Sequence, residues 1–184
     1  MKRLFDIVMT FGLLLLFAPI MIAVALAVRL DSPGPAIYRQ IRVGRNLSRF
    51  GIYKFRSMVA DADQIGGHST QPGDTRITKV GAFIRKTSLD ELPQLLNVLK
   101  GDMSLVGPRP DVPAQEAQYT PEEWRMRHSV RPGITGLAQA TMRSSATPED
   151  RTNLDLEYVK SASFINDLRI LFWTARQVLL RGSY

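Results

Sequence analysis

Two neighbouring carboxylates set the chemical question: Asp90 and Glu91 stand in the run Ser88-Leu89-Asp90-Glu91-Leu92-Pro93. An Asp-Glu pair can serve nucleophilic, acid–base or metal-binding chemistry. The same run also has the form Ser-x-x-Glu, a capping box in which Ser88 and Glu91 only exchange hydrogen bonds at a helix start. Downstream, Gly107-Pro108-Arg109-Pro110 stiffens the chain around an arginine, and a rigidly held guanidinium suits bidentate recognition of phosphate. Arg131-Pro132-Gly133-Ile134-Thr135-Gly136 holds another arginine beside a glycine turn whose amides could meet an anion. Each loop alone reads equally well as a turn carrying a surface cation.

Composition narrows the classes. The absence of cysteine excludes disulfides, thiolate metal sites and cysteine nucleophiles, and two histidines, His68 and His128, are too few for a multi-histidine metal site. At 184 residues, 45% hydrophobic and 22% charged, the chain suits one folded domain and is too charged for a polytopic membrane protein. Its net charge of +7 suggests nucleic acid, an anionic membrane surface or a phosphorylated substrate as partner. All of that excess lies in residues 1–60, where Lys2, Arg3, Arg29, Arg39, Arg42, Arg45, Arg49, Lys54 and Arg56 face only Asp6 and Asp31.

The elements that must position these groups begin with residues 7–28, 22 residues without a charge and long enough for a membrane helix. Lys2, Arg3 and Ala23-Val24-Ala25 also fit a signal peptide, but the apolar run exceeds the usual ~7 to 15 residues of a signal core. Lys2 and Arg3 precede the run and Arg29 follows it, so the positive-inside rule draws both ends to the cytoplasm. Pro19 deletes a backbone hydrogen bond near the middle, which predicts a kink or break there. The expected geometry is a re-entrant helix-break-helix over residues 1–30, with a kinked span as the alternative.

Asp31-Ser32-Pro33-Gly34-Pro35 ends that element by turn chemistry. Residues 36–43 and 50–58 read as a β-hairpin with a basic loop, Lys54 and Arg56 on one face and Tyr53 and Phe55 on the other. Residues 59–74 read as a short helix followed by a mobile loop that resembles a lid or insertion. Leucines at 89, 92, 95, 96 and 99 predict a helix over 89–99, capped by Ser88 and closed by Gly101. Short helices are expected at 122–128 and 154–160, with an ordered loop at 131–136. Residues 164–181 are amphipathic: Ile165, Leu168, Phe172, Ala175 and Leu179 share one face, away from Asp167, Arg169 and Arg176. That helix either covers the core or lies flat on a membrane.

Together these segments carry a resemblance. The run from Thr87 through Ser88-Leu89-Asp90-Glu91-Leu92-Pro93-Gln94-Leu95-Leu96-Asn97-Val98-Leu99-Lys100-Gly101-Asp102 to Met103-Ser104-Leu105-Val106-Gly107-Pro108-Arg109-Pro110 closely resembles the bacterial sugar transferases, the monotopic phosphoglycosyl transferases. Lys2-Arg3-Leu4-Phe5-Asp6, Pro19, Ile52-Tyr53-Lys54-Phe55-Arg56-Ser57-Met58, Val130-Arg131-Pro132-Gly133-Ile134-Thr135-Gly136 and Leu154-Asp155-Leu156-Glu157-Tyr158-Val159 extend it over nearly the whole chain. The length is similar to that of the minimal, single-domain members.

The resemblance implies transfer of a phosphosugar from a UDP-sugar to polyprenol (undecaprenyl) phosphate at the cytoplasmic face of the bacterial inner membrane, with release of UMP. It implies Asp90 as the nucleophile that forms a covalent phosphosugar intermediate and as a Mg²⁺ ligand. Glu91 would take a proton from the acceptor phosphate or help position it. Lys54, Arg85, Arg109 and Arg143 would bind the diphosphate or nucleotide, with Arg131 as a further candidate. The fold expected is α+β and mostly helical: a small β-hairpin and helices in a cytoplasmic catalytic domain, 31–184, on the N-terminal re-entrant segment. Its C-terminal amphipathic helix would be interfacial.

Three departures from the family pattern stand out: Ala18 before Pro19 in place of serine, Leu137 in place of a common tryptophan, and Ala140-Thr141-Met142 before Arg143 in place of Val-Asn-Gly. They touch the membrane break and the sugar and nucleotide pocket. Inner-membrane phospholipid is the expected partner surface, nucleic acid is not expected, and a homodimer stays open. The competing readings are a non-catalytic, membrane-tethered basic module that binds anionic lipid or nucleic acid, and a transferase that moves the sugar alone and releases UDP.

Overall fold

The computed structural model describes residues 1–66, 73–142 and 147–181. Helix α1, Lys2–Asp31, is long and apolar enough to cross a membrane. A hairpin follows, with β1, Ile37–Val43, antiparallel to β2, Arg49–Phe55, around a tight turn at Arg45–Leu47. Short α2, Ala62–Ile65, and α3, Lys79–Lys86, come next, then a single 3-10 turn at Leu89–Glu91 and α4, Gln94–Lys100. Strand β3, Ser104–Val106, pairs in parallel with β4, Gly133–Thr135, with α5, Pro121–Arg127, between them in sequence. Helices α6, Leu137–Thr141, α7, Pro148–Ser161, and α8, Phe164–Arg181, complete an α+β, mostly helical fold.

The helix-break-helix expected at Pro19 takes a different form: α1 is helical throughout, with Pro19 inside it. Losing one amide donor bends a helix without necessarily ending it, because neighbouring turns keep their own bonds. At 1.5 Å per residue the helix is about 45 Å long, and both of its ends are bonded to the same domain. Near the start, Lys2 Nζ reaches Asp167, Tyr158 Oη at 3.3 Å and the Val106 carbonyl at 3.0 Å, while Arg3 binds the Val98 and Leu99 carbonyls at 2.6 and 2.9 Å. Asp6, 3% exposed, accepts from Ser104 Oγ at 2.9 Å and from the Leu105 amide. At the other end, the buried Arg56 guanidinium donates to the Val28, Ser32 and Pro33 carbonyls, and Asp31 accepts from the Val80 amide at 3.0 Å. Lys2 and Arg3, expected to hold the start of the apolar segment on one side of the membrane, are bonded within the fold as struts.

Between these ends α1 turns two faces to different surroundings. Phe5, Leu13 and Leu14 join a core built from Ile52, Leu95, Val98, Met103, Leu105 and Ile170, and Val24 and Val28 join Phe55 and Ile84 in a second cluster. The opposite side leaves Leu4, Val8, Phe11, Leu15, Ile22 and Leu26 exposed. Helix α8 behaves likewise. Its apolar stripe is real, but Ile165 and Phe172 are 66% and 65% exposed, and the buried side is the one carrying Asp167 and Ile170. The periodicity identified the apolar face; pairing of Asp167 with Lys2 and Tyr158 turned the polar face inward. Helix α8 therefore does cover the core, through Ile170 and Leu171, but the stripe expected to do so is turned outward; the Leu179 side chain lies outside those described.

Candidate active site

Local backbone places the two carboxylates, both half-buried, on a turn between two helices. The helix expected over 89–99 is split: α3 ends at Lys86, Ser88 takes the left-handed conformation (φ 57°), and a 3-10 turn carries Asp90 and Glu91 before Pro93 starts α4. A non-glycine residue held there costs about 1–3 kcal/mol, a strain that clusters at functional sites. Ser88 makes no capping bond from its side chain, so the capping-box reading fails here. The chain shows what such a box looks like elsewhere, at Thr120 with Glu123 and at Thr147 with Asp150. Because Asp90 precedes α4 by a whole turn, that helix's dipole does not act on it directly.

Strand β2 supplies the first cation. Asn97 of α4 accepts from the Tyr53 amide at 2.9 Å and donates to the Gly51 carbonyl at 2.8 Å, locking strand to helix so that the next residue, Lys54, meets the turn. Lys54 Nζ lies 2.8 Å from Glu91 Oε1, and Arg109 Nη2 reaches the same oxygen at 2.6 Å. Burial pushes the Glu91 carboxyl upward, but Arg109 and Lys54 outweigh it and hold the group well below the usual carboxylate range. Burial also lowers the Lys54 ammonium against the pull of Glu91.

Asp90 has another environment. It makes no hydrogen bond or ion pair among the described residues, and burial, then the neighbouring Glu91 charge, pushes its carboxyl up to about 6 despite Lys54, Arg109 and Arg85. Two adjacent carboxyls are thus driven apart: one clamped and ionised, the other free to react.

Arg109 is held by its backbone. Three successive carbonyls in its loop are gripped: Arg109 by Arg127 Nη2 at 2.7 Å, Pro110 by Arg42 Nη1 at 3.0 Å, and Asp111 by the Val43 amide at 2.9 Å. Arg127, its side chain 4% exposed, also pairs with the buried carboxylates of Asp111 and Asp155. The sequence reading missed this triad; Asp155 stood in a quoted motif, but nothing local links residues 111, 127 and 155. Behind it, β3 and β4 approach so closely that a Cβ on Gly133 would lie 2.1 Å from the Gly107 nitrogen. The Gly107 and Gly133 amides donate to the Thr135 and Pro108 carbonyls at 2.9 Å, so strand pairing uses the Gly133 amide, one of those expected to meet an anion.

Lys54, Arg85, Asp90, Glu91 and Arg109 all line one cleft of about 1230 Å³. Its apolar side includes Leu13 and Phe17 of α1, with Leu92 and Leu105, so the cleft runs from the charged cluster to the apolar helix. Arg131 is placed elsewhere: its Nε binds the Gly101 carbonyl at 2.8 Å, and it does not line the cleft. Arg143 lies outside the described residues, as do residues 67–72 of the segment 59–74, expected to hold a short helix and a mobile loop. Among the described residues no group of three or more carboxylates or histidines could hold a metal. Asp90, with phosphate oxygens and water, fits a Mg²⁺ ion, which commonly takes only one or two protein carboxylates.

Comparison with known proteins identifies the family. The model of the family described as bacterial sugar transferase matches residues 1–181. An exopolysaccharide production protein of Rhizobium leguminosarum bv. phaseoli is 44% identical, over 99% of this chain and 96% of its own. The UDP-glucose:undecaprenyl-phosphate glucose-1-phosphate transferase of Escherichia coli (strain K12) is 47% identical over 95% of this chain, which spans only 39% of that protein. An undecaprenyl-phosphate galactose phosphotransferase of Salmonella typhimurium is 44% identical over the full chain and 42% of its own length. With the family's pattern running from α1 into α8, the chain belongs to the bacterial sugar transferase family.

Proposed function

We propose that the protein transfers a sugar 1-phosphate from a UDP-sugar to polyprenol phosphate, undecaprenyl phosphate in bacteria, through a covalent phosphosugar on Asp90. The observation that carries this reading is a single cleft that joins an unpaired, reactive carboxylate to a cation cluster and to the apolar helix α1. Relatives named for this chemistry support it.

The Asp90 carboxylate attacks the β-phosphorus of the donor, the bond from that phosphorus to the bridging oxygen breaks, and UMP leaves carrying the electron pair. Lys54, Arg85 and Arg109 neutralise the diphosphate and the departing charge, the main task a protein has in phosphoryl transfer. An oxygen of polyprenol phosphate then attacks the same phosphorus, and Asp90 is expelled as carboxylate, leaving a polyprenyl diphosphate sugar. A carboxyl held as acidic as Glu91 is a weak base, so of its two expected roles the geometry favours helping to position the acceptor phosphate, through the Lys54 and Arg109 side chains that it holds. A Mg²⁺ ion held by Asp90 and phosphate oxygens would further quench repulsion between the carboxylate and the diphosphate.

Purified protein in detergent with polyprenol phosphate should release UMP from at least one member of a UDP-sugar panel. Release of UDP instead would establish transfer of the sugar alone. The bonds that tie both ends of α1 to one domain, and the exposed apolar stripes of α1 and α8, support a helix that enters and leaves the membrane on the cytoplasmic side. Tags at residues 1 and 184 should both be shielded from periplasmic reagents in intact cells; exposure of the first would make α1 a span.

A further inference from the structure

Gln139 of α6 lines the same cleft. Among the described residues it is the one side chain whose polar atoms, Nε2 and Oε1, are both buried without a hydrogen-bond partner. Buried polar groups in native proteins are nearly always paired, and an orphan at the wall of a binding cleft points to a group that arrives with the ligand. The position of the amide is defined. A Cβ on Gly136 would lie 2.9 Å from Gln139 Oε1 and 2.3 Å from the Gly107 carbonyl oxygen, so the amide sits beside the backbone that leads through Pro108 into Arg109. The other cleft-lining residues of this segment leave it isolated: Ile134 and Ala138 are apolar, and Thr135 Oγ1 is engaged with Thr174 Oγ1 at 2.8 Å.

We propose that Gln139 reads the uracil ring of the donor, its carbonyl accepting from the ring N3–H and its amide N–H donating to an adjacent ring carbonyl. This rests on the UDP-sugar reading of the cleft and names the part of the donor that this wall recognises. A primary amide presents one acceptor and one donor side by side in a plane, and the imide edge of uracil presents the complementary pair in a plane. The apolar flanks suit the faces of a flat base. A hexose would bring several hydroxyls, and these flanks have nothing to offer them. With the base at Gln139, the diphosphate extends past the Gly107-Pro108-Arg109 loop toward Arg109 and Asp90.

The test is product inhibition by UMP and by N3-methyl-UMP, which lacks the ring donor, with the wild type, Gln139→Ala and Gln139→Met. Because neither amide atom bonds the protein, Gln139→Met should melt no lower than wild type, which guards against a folding artefact. The wild type should bind N3-methyl-UMP about tenfold or more weakly than UMP, by the cost of an unmet buried group. Both variants should bind UMP about tenfold less tightly and discriminate the two nucleotides by less than about threefold. A wild type that accepts N3-methyl-UMP equally, or variants that still reject it as the wild type does, would overturn the proposal. So would a loss in the variants that follows the identity of the sugar and leaves UMP binding intact. Failure of the wild type to release UMP from any UDP-sugar is a separate result and counts against the function, not against Gln139.

Discussion

Asp90→Asn should lower UMP release by at least ~10³-fold while leaving the protein folded, in line with the loss of a covalent nucleophile in other enzymes. Asparagine keeps the shape of the side chain but replaces one carboxylate oxygen with an amide nitrogen and removes the charge. Asp90 makes no hydrogen bond or ion pair among the described residues, so the substitution takes no contact from the fold. The sign of the stability change follows from its titration. Burial and Glu91 raise the carboxyl to about 6 in the folded chain, so the folded state binds the proton more tightly than the unfolded one. Stability attached to that proton is present at low pH and is lost as pH rises through about 6. At neutral pH the asparagine variant should therefore melt at or above wild type, and a thermal melt beside the UMP assay checks both halves. The same ionisation sets the reaction's pH dependence: kcat/KM for the donor should fall as pH drops through about 6, because only the carboxylate attacks. Near-normal turnover in Asp90→Asn would remove the nucleophile assignment, as would failure to trap a labelled acyl phosphate in the wild type.

The second large effect is expected far from the reacting atoms. Arg127→Met should destabilise the fold by about 3–5 kcal/mol, because it strands Asp111 and Asp155 in the interior without their counter-charge. The loss should be greater at pH 8 than at pH 5. Without Arg127 both carboxyls titrate higher in the folded chain than in the unfolded one, so protonation at low pH relieves the stranded charge and ionisation at high pH restores it. Arg127→Lys keeps a cation but cannot serve two carboxylates and the Arg109 carbonyl at once. It should fold and raise the donor KM, since Arg109 loses the grip that fixes its loop. A methionine variant that melts within about 1 kcal/mol of wild type at both pH values would show that the triad is not an anchor.

How far these features were legible differs from residue to residue. The β-hairpin, the short helix α5 and the amphipathic stripe of α8 follow from local spacing and appear close to their expected bounds, whereas α7, expected over 154–160, already starts at Pro148 behind its Thr147 cap. Lys54, Arg85, Asp90, Glu91 and Arg109, named from the family pattern, meet in one cleft. Arg131 does not, because the carbonyl at the end of α4 captures it, a contact between residues thirty apart that no motif reveals. Helix α3 has too short an apolar pattern to announce itself, and β3 and β4 are three-residue strands whose pairing joins distant segments. Nothing in the sequence sets Gln139 apart; only its lack of a partner among the described residues of the folded chain marks it.

By itself the sequence determined the family, the adjacency of two carboxylates, the proline-stiffened arginine and a membrane-length apolar helix, since all of these reside in residue identity and short-range order. Tertiary structure alone decided which carboxylate is clamped and which has no ion-pair partner among the described residues, because Lys54 and Arg109 come to Glu91 from segments 37 and 18 residues away. It also decided which side of α8 faces inward, through the pairing of Lys2 with Asp167 across 165 residues. Periodicity records where apolar groups lie along an element, whereas charge pairing depends on which surfaces meet after the chain has folded.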